Sequence, residues 1–110
     1  MNTKRNIVIV LLGLAFAASG IASASAASPH PRRAQVNHRL AIQNARIHHN
    51  LAAGNITPQQ AAQLHSDVHG VRVLERTDAS LHNGRITKAQ QRALNQNENA
   101  ISRQIYQDAH

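Results

Sequence analysis

The stretch GNITPQQ, beginning at Gly54, returns as GRITKAQ at Gly84, and this pair constrains the fold more than any other feature of the chain. A glycine just past the end of a helix closes the last turn in a left-handed conformation without steric cost. Thr57 and Thr87 then stand where a helix N-cap is expected, and Gln60 and Gln90 stand three residues on, which is the spacing of a capping box. In such a box the threonine hydroxyl accepts from a free N–H of the first turn, and the glutamine reaches back to the threonine N–H. Pro58 takes the first helical position, where its missing donor costs nothing. Each stretch therefore stops one helix and starts the next, with Ile56 and Ile86 expected to fold back onto the ends of the assembly.

The apolar spacing fills in the three helices, expected over about 33–52, 58–82 and 88–107. Val36, Leu40, Ile47 and Leu51 share one helical face, with Ile42 to the side; Leu64, Val68, Val71, Leu74 and Leu81 form a second stripe; Leu94, Ile101 and Ile105 form a third. Alternation suited to a strand occurs only briefly, at VRV. The fold class is all-α. A second helix continuous through Gly70 gives an up-down-up three-helix bundle, and a break there lets the two helix-loop-helix halves pair side by side; an extended helical hairpin is the alternative architecture. The stripe runs in register from Val68 to Val71 and Leu74, which favours continuity although glycine costs about 1 kcal/mol relative to alanine. Residues 33–110 read as a single helical domain.

The N-terminus reads as an export signal over residues 1–26. Lys4 and Arg5 supply the positive start, Ile7 to Ala18 a short apolar core, and SGIASASAA the small residues that a signal peptidase requires after Ala26 or Ala24. The apolar run is shorter than the ~20 residues that span hydrocarbon, so no transmembrane segment is expected after cleavage. Residues 27–32 are a flexible lead punctuated by proline, and the expected location is periplasmic or secreted.

Composition then bounds the function. Beyond the signal, ten cations and five acids remain, a net charge of +5 with histidine neutral, which favours acidic membrane or cell-wall surfaces. Tyr106 is the only aromatic residue left, so the stacking platforms of single-strand binders are missing and no specific nucleic acid is expected. There is no cysteine to staple the chain, and the region holds only 17 larger apolar or aromatic side chains. Burial of each contributes about 1.5–3 kcal/mol, against an ordering cost of about 1.5 kcal/mol per residue, so a homodimer or a captured partner is a natural remedy for marginal stability.

Catalysis and calcium binding both fail on the residues. Placing Gly54 or Gly84 at the sixth position of a calcium loop supplies no carboxylate at the ligand positions. Asp67, Glu75, Asp78, Glu98 and Asp108 form no close pair in the sequence and read as solvated helix positions, while the Asn- and Gln-rich faces read as the polar exterior. No catalytic residue is assigned, and no cofactor beyond a metal ion.

The eight histidines carry that metal expectation. His65 and His69 are four apart on the second helix, so both imidazoles can reach one Zn, Cu or Ni ion. In an antiparallel hairpin about Gly54, opposed residues have numbers summing to near 109. This sets His48 and His49 near the level of His65, and His38 near that of His69, as candidate further ligands. Asp67 is expected to point away.

ITPQQ and ITKAQ resemble the L-T-x-x-Q pattern, with Ile for Leu, of the CpxP and Spy type of periplasmic helical proteins. That resemblance implies an ATP-independent chaperone or envelope-stress protein that dimerises into a cradle. ARIHHNLAAGNITPQQAAQL, NGRITKAQQRAL and QNENAISRQIY together are similar to a set of small, mostly uncharacterised exported helical proteins of proteobacteria. The resemblance implies export and helices and supplies no site residues. The expected function is therefore a non-enzymatic envelope-interaction or stress-type binding protein, with a histidine-based metal buffer as the alternative.

Overall fold

A computed structural model describes residues 29–110; the expected export signal, residues 1–26, and the first two residues of the expected lead lie outside them. The described residues form three helices, α1 (Pro31–Ala52), α2 (Pro58–Ser80) and α3 (Lys88–Ala109), with no strand among them. Each helix packs on both others. The short loops 53–57 and 81–87 make sequential helices antiparallel, which leaves α1 and α3 parallel. The bundle is formed and not the extended hairpin, since α3 packs back on both α1 and α2, and α2 runs unbroken through Gly70 rather than splitting into two paired halves. A Cβ at Gly70 would meet nothing within 4 Å, so the residue serves no close approach, and the burial of Val68 and Val71 around it holds the helix together.

Each helix differs from expectation at one end, by two residues, while Ala52, Pro58 and Lys88 stand where expected. Pro31 opens α1 at its first position, so Pro31 and Arg32 belong to the helix rather than to the flexible lead, and His30 stands outside at φ −132°. The third helix extends to Ala109. The second stops at Ser80, before the expected His82, and Leu81 is 69% exposed and leaves the apolar stripe. Its reversal begins ahead of the glycine: Asn83 (φ 56°) and Gly84 (φ 86°) are both left-handed, and the Gly84 N–H donates to the Ala79 carbonyl at 2.8 Å. At the other turn Gly54 (φ 79°) acts alone. Its N–H donates to Leu51, and the Asn55 N–H donates to Asn50, the paired bonds of a Schellman motif.

Both capping boxes are present. Thr57 Oγ1 accepts from the Gln60 N–H at 3.0 Å while Gln60 Oε1 accepts from the Thr57 N–H at 2.8 Å, and Thr87 and Gln90 repeat the arrangement at the same distances. The core between the helices holds Val36, Leu40 and Ile47 of α1, Leu64, Val68 and Val71 of α2, and Leu94, Ile101 and Ile105 of α3. Ile56 and Ile86 are buried at its two ends. The apolar faces are thus spent on one another: among the described residues the exposed large apolar side chains are Ile42, Val73, Leu81 and Tyr106.

Candidate functional site

Each helix carries one hydrophilic residue in a slot of its own apolar stripe. Gln43 sits between Leu40 and Ile47, Glu75 four residues after Val71, and Glu98 between Leu94 and Ile101, and all three are buried. Asp67, Asp78, Asn37 and Asn97 are buried too. This corrects the expectation of solvated acids: four of the five lie inside, Asp67 among them, where its Oδ1 accepts from Gln63, while the other described Asn and Gln side chains stay at least partly exposed.

The buried groups are held mainly by α1. Arg33 donates to both oxygens of Glu75, through Nε and through Nη2. Gln43 Nε2 donates to the Glu98 carbonyl at 2.7 Å and to Ser102 Oγ at 2.9 Å. Arg39 lies along α3, donating to Asn99 Oδ1 at 2.7 Å, with its Nε 3.7 Å from Glu98 Oε1. That separation leaves both Glu98 side-chain oxygens without a hydrogen-bond partner among the described residues. Burial pushes Glu98 up to about 8, against Arg39 and with a further push from Glu75. It pushes Glu75 up to about 7 against the Arg33 bonds, and Asp78 to about 6 against the nearby His82. Burial thus makes each of these carboxyls easier to protonate than a free one, Glu98 most of all.

With the acids inside, the surface is cationic. No acid among the described residues is exposed beyond an intermediate degree, whereas Arg32, Arg76, Arg85, Lys88, Arg92 and Arg103 are exposed. Five of these six, all but Arg103, lie at the Gly84 end, where α1 begins, α2 finishes and α3 begins. Arg32 Nη1 donates to the Ile86 carbonyl and Arg33 Nη1 to that of Gly84, which fixes the start of α1 beside the loop. The N-termini of α1 and α3 present their positive dipole ends here, and neither helix has an acid in its first turn.

Of the expected metal ligands, the structure brings two into contact. The rings of His48 and His65 lie 4.8 Å apart between centres, tilted by 49°. His65 Nδ1 is 3.1 Å from Asn44 Oδ1, a pair whose numbers sum to the 109 of the hairpin register. Burial, then His48, lowers the His65 pKa from its ordinary value. His38, His49 and His69 are exposed, and no group of three His, Asp or Glu side chains converges as a metal site among the described residues. Spacing four apart pointed to His69 as the partner of His65, whereas packing supplies His48 from the facing helix. No protein-family model, curated protein or solved structure matches the chain.

Proposed function

We propose that this chain is an exported, non-enzymatic binding protein of the cell envelope that holds phosphate-bearing acidic surfaces at its arginine end. The observation that carries the reading is the sorting of charge among the described residues, with four of five acids buried and five of the six exposed Lys and Arg side chains at one end of the bundle. Most of these cations are arginine, whose planar fork meets phosphate oxygens in pairs where lysine offers a point charge. Residues 1–26, with their basic start and short apolar run, support export. A chaperone-like version of the role asks for an apolar surface. Among the described residues the large exposed apolar side chains are Ile42, Val73, Leu81 and Tyr106, so charge is the better supported basis.

Cosedimentation with vesicles tests the reading. Each basic residue near an anionic membrane contributes about 1 kcal/mol, so replacing Arg32, Arg85, Lys88 and Arg92 together by Gln should weaken binding to phosphatidylglycerol vesicles by about a hundredfold or more. Arg103→Gln should have little effect. Binding should also fall steeply as salt rises from about 50 to about 300 mM. Equal binding to neutral phosphatidylcholine vesicles, or no dependence on salt, would refute the proposal.

A further inference from the structure

The histidine contact at the Gly54 end serves neither the core nor the arginine surface, and its ring-centre separation matches that of two imidazoles on one ion. An imidazole bound through nitrogen at about 2.0–2.1 Å has its ring centre about 3.2 Å from the ion, so two at a tetrahedral angle have centres about 5 Å apart. His48 and His65 already stand at 4.8 Å, on different helices, before any backbone movement. Asn44 adds the second observation. With its Oδ1 accepting at 3.1 Å, His65 carries its proton on Nδ1 and keeps the lone pair of Nε2 free, the device by which proteins orient a ligating imidazole. His48 is exposed, so water can complete the coordination.

We infer that His48 and His65 form a binding site for a divalent transition-metal ion, with Asn44 as the positioning residue. Imidazole suits Zn(II), Cu(II) and Ni(II), with Cu(II) bound most tightly of the three. The inference is independent of the arginine end and goes beyond it: the ion would fasten α1 to α2 where that end plays no part. Two protein ligands imply an exchangeable ion rather than a structural one, since structural zinc sites close with four.

Titration calorimetry of the purified protein with CuCl2, NiCl2 and ZnCl2 decides the matter, with helicity measured on each variant as the folding control. The expected result is one ion per chain, with affinity lowered at least about tenfold in both His48→Gln and His65→Gln. Asn44→Ala should weaken binding by about tenfold, the range for loss of a group that orients a ligand. His82→Gln and His110→Gln should match the parent chain. A further loss in His69→Gln would retain the site and add a third ligand to it. Parent-like affinity in folded His48→Gln or His65→Gln, equal losses across all the histidine variants, or no binding tighter than millimolar would each overturn it.

Discussion

At the Gly54 end the bundle is closed by apolar side chains, with Ile47, Ile56, Ala61 and Leu64 all buried. At the Gly84 end Ile86 shares that work with Glu75, Asp78 and the arginine that binds Glu75. The same turn letters therefore lead into two kinds of packing. Apolar contact is indifferent to protons and nearly so to salt. A buried carboxyl is not, because its charged form must be desolvated. The apolar closure of the Gly54 end should hold at constant strength, leaving His65 as its pH-sensitive group, while the carboxyls of the other end follow pH.

The largest effect should come from unpairing Glu75. Arg33→Met is expected to cost about 3–5 kcal/mol at about pH 9, where the buried carboxyl must stay charged without its partner or take up a proton that the unfolded chain does not hold, and less than half as much near pH 5, where it is protonated with or without Arg33. Chemical denaturation at the two pH values measures it, and a cost that does not change with pH would erase the distinction between the ends. Ile56→Ala is the matched experiment at the other end. It should cost about 2–4 kcal/mol at both pH values.

Glu98 sharpens the comparison in the intact protein. Its folded pKa of about 8 lies above its ordinary 4.5, so between those values the folded chain keeps a proton that the unfolded chain has released. The stabilisation is complete below 4.5 and is lost as pH rises through 8. Glu75, near 7, and Asp78, near 6, act in the same direction, while the lowered pKa of His65 opposes them below about 6.5. Thermal melts should therefore show Tm rising as pH falls from about 9 to about 6. Glu98→Gln should add about 1–2 kcal/mol at the alkaline end and flatten the profile; an unchanged profile would mean that Glu98 is charged in the fold.

The smallest effects belong to the glycines. Gly54→Ala forces a Cβ into φ 79° and should cost about 1–2 kcal/mol although the space around it is open. Gly70→Ala, inside a helix and equally open, should stabilise by about 0.5–1 kcal/mol. Opposite signs in the two melts would show that conformation, not packing, separates these positions.

The helices and their caps were legible because they are local matters: glycine, threonine and glutamine at fixed offsets, and apolar residues every three or four. The buried acids were not. Hydropathy sends Glu75 and Glu98 to water, whereas the 3–4 spacing through Val71 and Leu94 sends them to the core. For Glu75, spacing prevails with the help of Arg33, 42 residues away in the chain. For Glu98, Arg39 is nearby without bonding, and the carboxyl rises in pKa. The histidine pairing was half legible. The loop position set the level of His48 against His65, but which ring would turn toward which depends on the packing of α1 against α2.

The loops 53–57 and 81–87 also bear on how quickly the bundle forms. Neighbouring helices meet through short closures, a topology whose folding times run from microseconds to milliseconds. The bonds between α1 and α3 are the distant ones: Gln43 to Glu98 spans 55 residues and Arg39 to Asn99 spans 60. A parallel pair so far apart along the chain should dock after the rate-limiting step. Gln43→Ala is then expected to raise the unfolding rate in stopped-flow experiments while leaving the folding rate almost unchanged, and a slowed folding arm would place that docking earlier. Gln43 would thus govern the lifetime of the closed bundle more than the speed of its assembly.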